Sequence, residues 1–115
     1  MTLRVERLRR RADFLALRQG KRVSRRAFLL QSRPNDLTIA RVGFTVTKKL
    51  GNAVARNRIK RRLRAAAQEA FEGHGLSGCD YNLLARPAAA TQSFASLLDD
   101  LRSALLETQR SNPSS

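Results

Sequence analysis

KKLGNAVARNRIKRRLRAAAQEA, running from Lys48 to Ala70, decides how the rest of this 115-residue chain is read. Eight cations (Lys48, Lys49, Arg56, Arg58, Lys60, Arg61, Arg62 and Arg64) fall within the 17 residues from Lys48 to Arg64, and no acid does. From Ala53 onward the spacing predicts a helix. At about 100° per residue, Ile59, Leu63, Ala66 and Ala70 share one arc, while Arg58, Arg61, Arg62 and Arg64 share the other. One side packs and the other is presented to polyanion. Gly51 frees the chain to turn, and Asn52 is placed to cap the helix, its side-chain oxygen accepting from first-turn amides. Arg56 and Lys60 project toward the apolar arc, so the first turns are expected to overhang the core.

The order of charges along this helix is informative. A helix N-terminus carries partial positive charge, and each cation there costs about 0.3–1 kcal/mol where an acid would stabilise. Here the cations come first and the acids, Glu69 and Glu72, come last. Selection for helix stability alone would reverse that order. An N-terminus that receives phosphates explains it, because amides and arginines then converge on the same anions. The competing explanation is a generic solvated basic face.

Working outward toward the N-terminus, Ile39 to Lys48 alternates Val42, Phe44 and Val46 with Arg41, Gly43, Thr45 and Thr47, the pattern of a strand with one face on a core. Arg22 to Ser32 is a second strand run, ending in Ala27-Phe28-Leu29-Leu30 and followed by the turn-formers Pro34, Asn35 and Asp36. The two are expected to pair as an antiparallel hairpin whose second strand delivers Lys48 and Lys49 to the helix. A short helix is expected over Arg11 to Arg18, stopped by Gly20, with Phe14 a core residue by composition. Residues 1–10 form a basic arm, only partly ordered when free.

Toward the C-terminus, Gly73, His74, Gly75, Ser77 and Gly78 mark a loop. Asp80 to Arg86 marks a further strand, with Tyr81, Leu83 and Ala85 on one face and Pro87 at its end. Tyr81 suits the core, or stacking on a base. From Ser93, the spacing of Phe94, Leu97, Leu98, Leu101 and Leu105 predicts an amphipathic helix that covers one face of the sheet. Asp99 and Asp100 fall off its apolar stripe and suit solvent better than a magnesium ion, because helical neighbours about 100° apart rarely close on one ion. Residues 109–115 form a polar, frayed tail. The expectation is one α+β domain over residues 1–115: a short N-terminal helix, a three- or four-stranded sheet, the basic helix between two strands, and a closing C-terminal helix.

Composition narrows the function. The chain holds 23 Lys and Arg against 9 Asp and Glu, a net charge of +14, which points to nucleic acid or an anionic surface. Residues 1–64 carry 20 cations and 3 acids, and residues 65–115 carry 3 and 6, so the second half is scaffold. Arginine supplies 19 of the cations, which fits bidentate phosphate binding or a GC-rich codon bias equally well. No apolar run approaches the roughly 18 residues of a membrane span and no signal peptide is evident, so a cytoplasmic protein without a membrane partner is expected. The single Cys79 and single His74 suit neither a disulfide nor a structural zinc, and no metal site is expected. No nucleophile–base set and no glycine-rich phosphate loop followed by Lys-Ser or Lys-Thr is visible. A binding module is therefore the simplest class. A structural ribosomal RNA-binding protein, a helix-turn-helix DNA binder and a membrane-surface helix are the rivals. The last two are weakened by the strand before the basic helix and by the small alanines on its apolar side.

The run Gly51-Asn52-Ala53-Val54-Ala55-Arg56-Asn57-Arg58-Ile59-Lys60-Arg61, preceded by Thr45-Val46-Thr47-Lys48-Lys49, resembles the signature of the bacterial ribonuclease P protein subunit. The resemblance extends from about Leu8 to Glu107. It implies a sandwich in which the basic helix makes a left-handed crossover, against the roughly 98% right-handed rule. It also implies that chemistry belongs to an RNA subunit, which removes the 5′ leader of precursor tRNA. Magnesium is then required by the RNA-containing holoenzyme, with no cofactor bound by the protein alone. The implied partners are the catalytic RNA and precursor tRNA, with no obligate protein partner. The RNA-binding set carried over is Lys48, Lys49, Asn52, Arg56, Asn57, Arg58, Lys60, Arg61, Arg62 and Arg64. The leader-binding cleft carried over is Phe14, Arg18, Gln31 and Thr45, with Arg18 and Gln31 standing where the family often has aromatics. The protein's contribution is then a higher affinity for precursor than for product.

Overall fold

Alternation along the strands sorts their residues between two unlike faces. In the computed structural model, which describes residues 5–74 and 78–110, the order is β1 (Val5–Arg7), α1 (Arg11–Ala16), β2 (Lys21–Ser24), β3 (Phe28–Pro34), β4 (Ala40–Thr45), α2 (Ala53–His74), β5 (Cys79–Ala85) and α3 (Phe94–Arg110). Short 3₁₀ turns lie at Leu17–Gln19, Lys48–Leu50 and Pro87–Ala90. On one face, Phe28 and Leu30 of β3, Val42 of β4, and Tyr81 and Leu83 of β5 pack against Ile59, Leu63, Ala66, Ala70 and Phe71 of α2 and Leu97, Leu101 and Leu105 of α3. Tyr81 is fully buried there, its ring edge-on to Phe71 with centroids 5.0 Å apart. It is a core residue, and the alternative of stacking on a base is closed.

The strands form one five-stranded mixed sheet in the order β1-β4-β5-β3-β2. This is one strand more than the upper expectation, for two reasons. Arg22 to Ser32 is not one strand but a tight antiparallel pair, β2 with β3. The expected N-terminal arm also contributes β1, parallel to β4, and Leu8 just beyond it is 3% exposed and donates its amide to the Val42 carbonyl at 2.9 Å.

The expected hairpin between β3 and β4 does not exist, because β5 lies between them, antiparallel to β3 and parallel to β4. The polar residues of β5 give the physical reason. Asp80 accepts from Arg41 of β4 on one side and from Asn35, just after β3, on the other. Asn82 likewise accepts from the Thr45 hydroxyl and donates to Gln31. Only a central β5 lets both flanks satisfy these two buried side chains, and leaving either unpaired would cost about 1–3 kcal/mol.

The basic helix α2 is the crossover between the parallel neighbours β4 and β5, and it begins and packs as its sequence predicts. Gly51 sits at φ 130°, a conformation few L side chains adopt. Asn52 then caps the helix, its Oδ1 accepting from the Ala55 amide at 2.9 Å. The helix runs to His74; Gly75 and Ser77 of the expected loop lie outside the described residues, as do residues 1–4 of the arm and 111–115 of the tail. Gln109 and Arg110, expected in that tail, still belong to α3.

Candidate nucleic-acid interface

Ten polar positions on and before α2 carry the RNA-binding expectation, and their placements differ. Asn57, Arg58, Arg61 and Arg64 are exposed, as are Lys48, Lys49 and Asn52 in the approach to the helix. Arg56 and Lys60 are half-buried near the start, and the Arg56 Nε is buried without a hydrogen-bond partner among the described residues. The guanidinium of Arg64 lies over the Phe44 ring, 5.9 Å from its centroid, so it leans across the end of β4 while staying open to solvent. Glu69 and Glu72 are exposed toward the other end of the helix, so anion attraction is concentrated in its first three turns.

Arg62 departs from the expectation. Its Nε donates to the Ala89 carbonyl at 3.0 Å and one terminal nitrogen donates to the Gln92 carbonyl. Those carbonyls belong to the turn between β5 and α3, which the sequence did not reveal as an element. Arg62 is thus a strut between α2 and that turn, and its fork is largely committed before any phosphate arrives.

Among the described residues, the second face of the sheet carries α1 as its only helix. Gly43 makes this approach possible: a Cβ there would come within 2.4 Å of the Phe14 ring and 3.2 Å of Leu8. Beside Gly43 a groove of about 220 Å³ is lined by Arg11, Phe14, Leu15, Arg18, Gln31, Thr45, Asn82 and Leu84. All four residues expected in the cleft, Phe14, Arg18, Gln31 and Thr45, therefore share one wall-and-floor arrangement. Phe14 is half-buried, so it serves as packing and lining together.

The groove's floor is a directed row of neutral groups. The Thr45 hydroxyl donates to Asn82 Oδ1 at 3.1 Å, and Asn82 Nδ2 donates to Gln31 Oε1 at 3.0 Å. Gln31 and Asn82 are 7% and 5% exposed, so they are fixed by each other more than by water. The charges stand at the rim, on Arg11 and Arg18, both exposed. Asn82 was missed as a cleft residue, although the assignment of Tyr81, Leu83 and Ala85 to the core face already put Asp80, Asn82 and Leu84 on the opposite one.

Next to the groove, Arg41 Nε and one terminal nitrogen grip the Asp80 carboxylate at 2.8 and 2.7 Å, and its other terminal nitrogen lies 3.5 Å from Asp13 Oδ2 on α1. The hydrogen bonds to Asp80, and the charges of Asp80, Asp13 and Glu6, hold the Arg41 pKa above its ordinary value against the opposing effect of burial. On the core side, burial pushes the half-buried Cys79 thiol up, which disfavours its reactive thiolate. Asp100 accepts from the Gln92 amide. Among the described residues no three His, Cys, Asp or Glu side chains cluster as metal ligands, and no helix is long and apolar enough to cross a membrane. The side chain of His74 lies outside what is described.

A basic α+β domain with cations massed on one helix and a separate groove with a neutral floor has the make-up of a nucleic-acid-binding module. The family profile described as Ribonuclease P matches residues 3–109. The ribonuclease P protein component of Caulobacter vibrioides is 47% identical over 107 residues, covering 91% of this chain and 72% of that protein. That of Ruegeria pomeroyi is 46% identical over 110 residues, covering 92% and 88%. The fold superposes on the RNase P protein of Thermotoga maritima with a TM-score of 0.77 at 29% identity, covering 89% of this chain and 96% of that one. The chain belongs to the ribonuclease P protein family. It is the protein subunit of an endoribonuclease that matures tRNA 5′ ends, in which RNA carries the chemistry.

Proposed function

We propose that the chain divides its two tasks between the two sides of the sheet. The cations of α2 other than Arg62, with Lys48 and Lys49, hold the catalytic RNA. The groove under α1 holds the single-stranded 5′ leader of precursor tRNA. The observation that carries this reading is the groove's composition, a neutral hydrogen-bonding floor with one aromatic wall and arginines only at the rim. Such a site suits a strand whose bases turn inward while its phosphates stay at the edge. The strand β4 links both sites, since Thr45 lies in the groove three residues before Lys48. In this reading magnesium is held by the RNA, the partners are that RNA and precursor tRNA, no further protein is obligatory, and the complex works in the cytoplasm.

Two measurements test it. RNA-free protein is expected to leave precursor tRNA uncut and to raise cleavage by its cognate RNA at low magnesium, because added cations reduce the phosphate repulsion that metal ions otherwise screen. Robust cleavage without RNA would sink the reading. In the reconstituted holoenzyme, Phe14→Ala and Gln31→Ala are expected to lower affinity for precursor tRNA and to leave mature tRNA binding unchanged. Equal weakening of both would remove the leader from the groove.

A further inference from the structure

Among the groups around the groove, Asp13 is out of place electrostatically. It sits on α1 among Arg10, Arg11 and Arg18, beside a groove that rests, in the reading above, on attracting a polyanion. An acid there repels the ligand. Its presence calls for a compensating role.

The construction of α1 supplies one. The helix has six residues, none of them buried, and no side-chain cap at its start. A helix of that length does not hold itself together in water. Among the described residues Asp13 is the only α1 side chain with an ion pair or hydrogen bond. The remaining polar attachments of α1 and of the 3₁₀ turn that follows it are long ones to backbone carbonyls, Arg33 to Ala16 and Arg22 to Arg18, each at 3.4 Å. Asp13's partner, by contrast, is fixed. Arg41 is held by two short bonds to Asp80, which in turn accepts from Asn35 at 2.8 Å. This series of bonds runs from the centre of the sheet to the helix that forms the groove's wall.

We propose that Asp13 is a positioning residue: through Arg41 it seats α1 on Gly43 so that Phe14 and Arg18 face the leader groove. The proposal rests on the groove being the leader site. Asp13 does not touch the leader itself. Its effect is the difference between a wall held in place before binding and one that must be ordered during it.

The sign of a single substitution separates positioning from plain electrostatics. Asp13→Asn removes one negative charge from the surroundings of an anion site. If charge alone mattered, precursor tRNA would bind more tightly. If the carboxylate seats α1, precursor binding weakens, by about two- to fivefold given a partly exposed pair at 3.5 Å. Asp13→Glu, which keeps the carboxylate, should restore most of the affinity. Asp13→Lys, which sets a cation against Arg41, should weaken binding further than Asp13→Asn.

The experiment uses the holoenzyme reconstituted with its catalytic RNA and measures affinity for precursor and mature tRNA, cleavage at saturating precursor, and affinity for the catalytic RNA. The expected result is a lower precursor-to-mature affinity ratio with unchanged cleavage at saturation and unchanged affinity for the catalytic RNA. Amide exchange over α1 should quicken in the same variant. Phe14→Ala, run in parallel, reports on the groove itself. If Asp13→Asn leaves the ratio unchanged or raises it while Phe14→Ala lowers it, the positioning role is wrong and the groove reading stands. If neither variant moves the ratio, the groove reading falls and the positioning role falls with it.

Discussion

The two faces of the sheet solve different problems with the same strands. Toward α2 and α3, the inward-pointing strand residues are apolar or aromatic, and the helices meet them with leucines, alanines and Phe71. Toward α1, the strands present Arg41, Gly43, Thr45, Gln31, Asp80 and Asn82, and the covering helix buries none of its own residues. Hydrophobic burial yields about 25 cal/mol per Å² without regard to direction. Hydrogen-bonded amides and ion pairs yield little net stability but fix orientation. The first face therefore holds the fold and the second holds a shape.

Substitutions on the packed face should sharpen this contrast most. Leu63 is fully buried between α2 and the sheet. Leu63→Ala should cost about 2–5 kcal/mol in denaturant unfolding, with affinity for the catalytic RNA falling only in step with the folded fraction. Weaker RNA binding at unchanged stability would place Leu63 in the interface instead.

A smaller effect is expected where the packed face borders the solvent. Arg62→Ala removes charge-assisted bonds to the Ala89 and Gln92 carbonyls and should cost about 1.5–3 kcal/mol of stability. Affinity for RNA should change little beyond the removal of one long-range charge. Its neighbour Arg61 makes the comparison direct, since it is exposed on the solvent side of the same helix: Arg61→Ala should weaken RNA binding and leave stability within about 0.5 kcal/mol.

On the open face the cost should shrink further. Gly43→Ala sets a methyl where the Phe14 ring now lies, and overpacking of that size costs about 1–3 kcal/mol in a closed core. Here α1 is lightly attached and can lift, so destabilisation at the low end of that range, about 1 kcal/mol, is expected, together with weaker binding of precursor but not of mature tRNA. Destabilisation as large as that for Leu63→Ala would show that α1 belongs to the core after all, and the contrast between faces would collapse.

The same contrast governs how much the sequence revealed. Periodicity located α2, its cap and α3 nearly to the residue, because burial on one side leaves a repeating apolar signature. It also placed β4 and β5 and assigned their core-facing residues. Pairing was a different matter. Neighbouring strands in sequence suggest a hairpin, and the information that overrides this lies in Asp80 and Asn82, each of which needs partners from both flanks. Such a need is invisible until the strands are side by side. Arg62 was misplaced for a related reason: a helical wheel shows which side of α2 a residue takes but not that a turn with accepting carbonyls lies against it. The groove was legible only through resemblance, since Phe14 alone suggests core and Gln31 suggests nothing. The short β1 carries too few residues to show a period.

The smallest effect on stability is expected from two half-buried cations near the start of α2 that the proposed reading assigns to the RNA. Arg56 lies in the first turn of α2, where the helix dipole disfavours a cation by about 0.3–1 kcal/mol, and its Nε is buried with no hydrogen-bond partner among the described residues; Lys60, one turn further on, lies beyond most of that field. Among those residues, neither side chain makes an ion pair or hydrogen bond that its removal would forfeit. Alanine has the better helix propensity. The double substitution of Arg56 and Lys60 by alanine should therefore leave the unfolding free energy unchanged or raise it slightly. Binding to the catalytic RNA should weaken by about 1–3 kcal/mol for each phosphate that is no longer gripped. The salt dependence should flatten in parallel, because each phosphate left unneutralised takes about 0.7–0.9 from the log–log slope. Both quantities come from one titration series at several salt concentrations, paired with an unfolding curve. A variant that melts far below the parent while binding RNA normally, with the same slope, would make these two cations part of the scaffold and erase the functional difference between the start of α2 and the rest of it.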